Sequence, residues 1–379
     1  MNTTVDHSDR QRLVEARRWV VKVGSALLTN DGRGLDPEVI RRLVSQLAAL
    51  RGQGREVVLV SSGSIAAGLV RMNLSSRPHE LHLLQAAAAV GQSALVQAYE
   101  EHFAPHGIMT AQILLSHADV RARDRYLNAR GTLATLIGMG ILPIVNENDT
   151  VVTDEIRLGD NDTLAALVAN LVDADALLIL TDQAGLMDRD PRQHAEAELI
   201  VSADVDDPIL DTVAGGSGAL GRGGMTTKLS AARLAARSGA ATIIANGREA
   251  DVISQVVSGR PVGTLLHTAR RPQSARKQWL ASLLHAKGQL MLDEGAVSGV
   301  LERGRSLLPI GVTAVSGNFQ RGDLVSCVGP DGRERARGLS NYSSTEAAAL
   351  AGKSSADIES ILGYQAEAEL IHRDNLVQG

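Results

Sequence analysis

The chain has 379 residues, which at roughly 150 residues per domain allows two or three domains and a sizeable buried core, and excludes a peptide or bare linker. Its 38 Lys+Arg against 43 Asp+Glu leave a net charge of −5, with 44% hydrophobic and 21% charged residues, so no general affinity for polyanions is implied and the balance is that of a globular protein. The single cysteine, Cys327, excludes an intrachain disulfide framework, a zinc ribbon and a thiolate-held cluster, and fits a reducing, cytoplasmic setting.

Residues 1–17 are polar and read as a disordered tail: MNTTVDHSDRQRLVEARR carries no apolar run for a signal peptide. Nowhere does an apolar stretch approach the ~18 residues that a membrane span needs. From residue 18 onward, short β-branched runs at 19–23, 56–60, 108–115, 141–145, 176–180 and 241–245 alternate with helical periodicities at 37–51, 81–103, 127–139, 163–171 and 226–238. That alternation predicts an α/β domain over 18–265, a mostly parallel sheet sandwiched by helices and joined by right-handed crossovers. The runs VVLV and LLIL carry no alternation, as expected of central strands buried on both faces.

After about residue 262 the rhythm changes. Residues 266–285 read as a linker and helix. Residues 286–365 are Gly-punctuated, with the turn Gly329-Pro330-Asp331-Gly332 between LVSCV and RERARGL, and predict a small β-rich domain finished by short helices near 345–350 and 357–362. Residues 366–379 read as a C-terminal tail. Between 270 and 340 there are 11 Lys+Arg against 6 Asp+Glu, a local basic excess, but with only 2 Phe, 4 Tyr and 2 Trp in the chain a base-stacking surface is not expected.

In open α/β sheets ligands sit beyond the carboxyl ends of the strands. The first strand ends Val21-Lys22-Val23-Gly24-Ser25. A lysine in a buried strand needs an anionic partner, although snorkelling to water is the plain alternative. Ser61-Ser62-Gly63-Ser64 closes the second strand and opens a helix, forming either an anion pocket or a simple N-cap. ILPIV runs into Asn146-Glu147-Asn148-Asp149, and Gly159-Asp160-Asn161-Asp162 heads the helix that begins at Thr163. Capping requires only one of these polar residues, so the pair of segments favours a polar ligand, a lysine network or Mg²⁺. Thr181-Asp182 follows the LLIL strand, where a turn explains it equally well.

Six glycines fall within residues 215–224, leading through Met225-Thr226-Thr227 to Lys228. The G-x-G-x-x-G from Gly216 to Gly221 lacks the strand that a dinucleotide fingerprint requires. A flexible phosphate-covering loop that delivers Lys228 from the first helical turn is the better reading, since a lysine there opposes the helix dipole unless an anion lies near. Gly352-Lys353-Ser354 fails as a P-loop because Ala347 stands at its first glycine position, and the pairs His79/His82 and His102/His106 have poor zinc spacing. Two lysines, a glycine-rich loop and acid/amide clusters at strand ends match phosphoryl transfer, which needs positioning and charge neutralisation above all.

The ordered set VVKVGS, VSSGSIAAG, LLQAAAAVGQ, YLNAR, ILPIVNENDTV, GDNDTLAALVA, LLILTDQAGL and GRGGMTTKL over about 18–265 resembles the glutamate 5-kinases of the amino-acid kinase family. DEGAVSGVLERGRSLLP, GNFQRGD and ILGY are similar to the PUA domain attached to many bacterial members. The resemblance implies transfer of phosphate from ATP to the side-chain carboxylate of L-glutamate, giving L-glutamyl 5-phosphate, the first step of proline biosynthesis, in the cytoplasm. It implies Lys22, Lys228 and Asp162 as catalytic residues, with Asp162 orienting the lysines. Ser62, Gly63, Asp149, Asp160 and Asn161 match glutamate-binding positions. Lys22, Thr181, Asp182, Arg222, Gly223, Gly224, Met225, Thr226, Thr227 and Lys228 match ATP-binding positions. Mg²⁺ is implied as a passenger on the ATP phosphates, with no dedicated protein metal site. Proline as feedback inhibitor, transient contact with glutamyl phosphate reductase, and a homo-oligomer (dimer or tetramer) are further implications, with no membrane or nucleic-acid partner.

Two segments depart from the family's usual pattern: Arg222 stands where GTGGM has a small hydroxyl residue, and Ser25-Ala26 replaces Thr-Ser after the first-strand glycine. Carbamate, uridylate, aspartate and acetylglutamate kinases are the nearest rivals, and the PUA-like tail with the NEND and GDND pair argues against them. An RNA-binding protein acting through the basic C-terminal module is the rival from another class; it would bind RNA with steep salt dependence.

Overall fold

The computed structural model describes residues 7–29, 34–152, 161–191, 193–194, 196–215, 224–268, 286–301 and 303–378. In chain order the strands are β1 Arg18–Val23, β2 Glu56–Ser61, β3 Thr110–Leu115, β4 Leu142–Glu147, β5 Ala176–Thr181, β6 Ser202–Asp204, β7 Ala241–Asn246, β8 Thr264–His267, β9 Gly288–Leu292, β10 Val312–Gly317, β11 Leu324–Val328, β12 Glu334–Leu339 and β13 Leu376–Gln378. The first eight form one sheet in the order β3-β4-β2-β1-β5-β7-β8-β6, and the last five another in the order β10-β9-β11-β12-β13.

In the larger sheet every neighbouring pair is parallel except β7 with β8. β4 and β5 are buried at all six positions, the burial that helices on both faces impose and the reason their sequences read as unbroken apolar runs. Each expected strand is present, most of them extended by the polar residue that follows the run: Ser61, Glu147, Thr181 and Asn246. β6 and β8, at three and four residues, are too short to announce themselves.

The chain leaves β1 for β2 on one side and later places β5 on the other, with Val23 paired in register to Ser61 and to Leu180. β1 is therefore a topological switch point, and a crevice opens beyond the carboxyl ends of β1, β2 and β5.

Helix placement follows from caps and apolar stripes. In Pro37–Gly52, Asp36 accepts from the amides of Glu38 and Val39, proline occupies the first turn, and Ile40, Leu43, Val44, Leu47 and Leu50 form the buried stripe. Leu81–Phe103 buries Leu84, Ala87, Ala88, Gly91, Gln92, Leu95, Tyr99 and Phe103; full burial of Leu95 and Phe103 is worth roughly 1.5–3 kcal/mol each. This helix crosses Ser64–Arg71 at a pair of glycines. A Cβ on Gly68 would lie 1.7 Å from the Ala87 carbonyl oxygen, and one on Gly91 would lie 1.8 Å from that of Ser64.

The packing divides the chain into two units, Met1–Asp119 with Arg130–Pro272, and Val120–Ala129 with Gln273–Gly379. In the second, β11 runs parallel to β9 while the other neighbours are antiparallel. The expected turn does join β11 to β12. Phe319, Cys327, Tyr342 and Leu350 lie in its core, and burial pushes the Cys327 thiol up to about 12, so it remains protonated. The Lys353 segment follows the helix Ser344–Leu350, which is held at its start by a Ser343/Glu346 capping box.

Both presumed tails differ from expectation. His7–Glu15 is a helix. Leu13 and Ala16 join the core, and the buried Arg10 guanidinium donates to the carbonyls of Arg260 at 2.7 Å and Val201 at 2.9 Å. At the other end Leu370 and Ile371 are fully buried and β13 pairs with β12. The 266–285 linker expectation falls almost wholly outside the described residues. Among the described residues no helix is long and apolar enough to cross a membrane.

Candidate active site

β1 alternates its side chains: Trp19, Val21 and Val23 enter the core on one face, which sends Lys22 to the other. There it meets the helix Asn161–Leu171, which packs on β1, β2, β4 and β5 and against the helix Met225–Ala236. The packing brings Asp162 and Lys228, both in first turns, to the end of β1. Lys22 Nζ lies 2.6 Å from Asp162 Oδ1, and Lys228 Nζ donates to Asp162 Oδ2 at 3.1 Å. Thr227 Oγ1 lies within hydrogen-bond reach of two acceptors, the same Oδ2 at 3.2 Å and the Gly224 carbonyl at 2.7 Å, between which its one proton is shared.

Lys22, Lys228 and Asp162 are 6%, 5% and 2% exposed, so this is a buried charge cluster of two cations and one anion. Burial works to raise the Asp162 carboxyl, but the charges and hydrogen bonds of Lys22 and Lys228 outweigh it and hold the group below the ordinary carboxylate range. Two ammonium groups thus converge in a low-dielectric crevice at two helix N-termini, a place suited to an anion.

A second polar group adjoins the first. Asn161 Nδ2 donates to Ser62 Oγ at 2.7 Å and to Asn146 Oδ1 at 3.0 Å. Asn146 Nδ2 donates to Gln92 Oε1 at 2.8 Å and to Ser64 Oγ at 3.2 Å, and Ser64 Oγ donates to Asp149 Oδ2 at 3.3 Å. Gly63 takes φ +110° at the mouth of its helix, a left-handed conformation that glycine adopts freely. Asn161 Oδ1 and Gln92 Nε2 are buried and have no hydrogen-bond partner among the described residues; an unmet buried polar atom costs about 1–3 kcal/mol, which a ligand bound there can recover.

The two clusters are joined through the adjacent residues Asn161 and Asp162, so one helix N-terminus holds both. Gly24 N donates to the Leu180 carbonyl at 3.4 Å. Thr181 lies at the end of β5 with its hydroxyl on Asp182 Oδ1 at 3.1 Å, and the Asp182 side chain faces solvent. Thr226 is exposed, its hydroxyl on the Ala214 carbonyl at 3.3 Å; Gly224 and Met225 open the Lys228 helix. Asp160, Arg222, Gly223 and most of the glycine-rich loop lie outside the described residues. Ser64 and Asn146 lie in the polar segments expected here but had no role of their own, and Gln92 was not singled out. Ser64 reads as a helix cap and Gln92 as one polar residue in an alanine-rich helix, and only the quoted NEND segment pointed toward Asn146.

A profile described as the amino acid kinase family matches residues 17–246, and one described as the PUA domain matches 288–362. The chain belongs to the amino acid kinase family. Within that class it is 60% identical over 369 residues to a protein named Glutamate 5-kinase from Thioalkalivibrio sulfidiphilus, covering 97% of this chain and 98% of that one. Equally named proteins of Saccharophagus degradans (60% over 370 residues, 98% and 99% covered) and Ectopseudomonas mendocina (60% over 369 residues, 97% and 99% covered) are as similar.

Proposed function

We propose that the chain transfers the γ-phosphoryl group of ATP to the side-chain carboxylate of L-glutamate, giving L-glutamyl 5-phosphate, the first step towards proline. The observation that carries this is the single carboxylate, Asp162, gripping Lys22 and Lys228 beside the Ser62–Asn161 amide cluster, supported by the near-full-length similarity to proteins named Glutamate 5-kinase.

The attacking group is a carboxylate of pKa near ~4.3, ionised at neutral pH, so no general base is required. The obstacle is repulsion between it and the phosphoryl oxygens. Lys22 and Lys228 neutralise the transferring group, and Asp162 keeps both ammoniums oriented without cancelling their joint charge. Ser62, Gly63, Asp149, Asp160 and Asn161 hold glutamate in line. Thr181, Asp182 and the segment from Arg222 to Lys228 border the nucleotide.

Both Asp162 oxygens face lysines, and among the described residues no group of three or more His, Cys, Asp or Glu could hold a metal. Mg²⁺ belongs to the proposal as a ligand of the nucleotide phosphates, since it commonly reaches protein sites bound to substrate phosphates. Proline inhibition, hand-over to glutamyl phosphate reductase, cytoplasmic location, a homo-oligomer and a domain division at 266–285 complete the reading.

With ATP, Mg²⁺, glutamate and hydroxylamine the purified chain should yield γ-glutamyl hydroxamate. Phosphorylation of uridylate or carbamate in place of glutamate would overturn the proposal. Lys228→Ala should melt near the wild-type temperature, because Lys22 still pairs with Asp162, yet lose on the order of 10²-fold or more in kcat. Wild-type turnover in that variant would remove Lys228 from the chemistry.

A further inference from the structure

The amide cluster has a direction, and an acceptor-only group sets it. A carboxylate cannot donate, so the Ser64 hydroxyl gives its proton to Asp149 Oδ2 at 3.3 Å. Ser64 Oγ is then left to accept, and it does so from Asn146 Nδ2 at 3.2 Å. Gln92 Oε1 accepts from the same Nδ2 at 2.8 Å. With its nitrogen held twice, Asn146 must turn its oxygen to the other side, where it accepts from Asn161 Nδ2 at 3.0 Å. That fixes the Asn161 amide in turn: its nitrogen is spent on Asn146 and Ser62, and its Oδ1 remains buried with no hydrogen-bond partner among the described residues. Asn161 itself is 8% exposed.

From this chain of donors we infer that Gln92 and Ser64 are positioning residues which, through Asn146, lock Asn161 with its carbonyl oxygen free to accept from the α-ammonium of the amino-acid substrate. The inference rests on the glutamate reading above and deepens it. An α-ammonium is the donor-only cationic group that distinguishes an amino acid from the plain dicarboxylate of the same length, and an amide flipped by 180° would offer it a repelling N–H₂ instead. Discrimination of this kind, by a buried polar atom left unmet when the wrong ligand binds, is steeper than discrimination by shape. Gln92 reaches Asn146 because the glycine crossing puts its helix in backbone contact with the helix of Ser64, Gly91 being its immediate neighbour.

The test compares glutamate with glutarate, which lacks only the α-ammonium, in the wild type, Gln92→Met (similar in volume, no acceptor) and Ser64→Ala. The wild type should prefer glutamate by on the order of 10²-fold or more in kcat/KM. Each variant should raise the glutamate KM roughly tenfold, the share of one charge-assisted hydrogen bond, with kcat, the KM for ATP and the glutarate kinetics little changed, so that the preference falls by the same factor. Equal losses on both substrates would mean a merely structural role and overturn the inference, as would an unchanged preference in variants that melt normally. A wild type that uses glutamate without preferring it to glutarate would also overturn it. A wild type inactive on both would instead defeat the functional proposal.

Discussion

Asp162→Ala is expected to lower stability by about 3–5 kcal/mol, because it takes from two buried lysines the carboxylate they share, and to cut kcat by 10²-fold or more as the ammoniums separate. Asp162 lies within ion-pair reach of both Lys22 and Lys228, so one substitution loosens both. Asp162→Asn keeps the volume and one acceptor but turns an N–H₂ toward a lysine, and it should fall between alanine and wild type in both measures. The pH response gives an independent reading. A carboxyl held below its ordinary range in the folded state contributes stability that is present above the ordinary carboxylate range and is lost as pH falls through the depressed folded value. Denaturant titrations at stepped acid pH should show this loss in the wild type and a shallower one in Asp162→Asn. A variant as stable as the wild type and within a few-fold of its turnover would show that the lysines are held in place by something else.

The parts of this molecule legible in its sequence are those where one local demand dominates. VVLV, ILPIV and LLIL can only be strands covered on both faces, and the helix over 81–103 is spelled out by its apolar stripe, so the sheet and the crevice at the ends of β1 and β2 followed. Lys22, Ser62, Asn161 and Lys228 stood out because each is polar where packing asks for nothing polar. The misreadings are of the opposite kind. HSDRQRLVE looks like a solvated tail because Arg10 is buried by donating to main-chain carbonyls some 250 residues away, a bond with no local signature. Asn146 lies 82 positions from Ser64 and 54 from Gln92, and each alone resembles a surface amide or a helix cap. Likewise β13 is three residues of a strand whose partner, β12, ends nearly forty residues earlier. Such features come from which elements meet, and a single sequence states that only indirectly.

Gly91→Ala should be among the most damaging single-methyl additions in the chain. Its Cβ would stand 1.8 Å from the Ser64 carbonyl oxygen and the Gly68 Cβ 1.7 Å from that of Ala87, and backbone cannot step aside as a flexible side chain can. The helices Ser64–Arg71 and Leu81–Phe103 must move apart by an ångström or more, at a cost at or above the ~1–3 kcal/mol usual for overpacking. Because Ser64 and Gln92 sit on either side of that contact, the separation also pulls on both grips of Asn146, so the glutamate KM should rise along with the loss of stability. Gly68→Ala forces the same separation from the other helix. The double variant should therefore be far less destabilised than the sum of the two, since the second methyl enters a gap the first has already opened. Chemical denaturation of the two singles and the double measures this directly; additive losses, or a Gly91→Ala protein as stable as the wild type, would mean that the crossing is not the rigid wall on which the amide cluster rests.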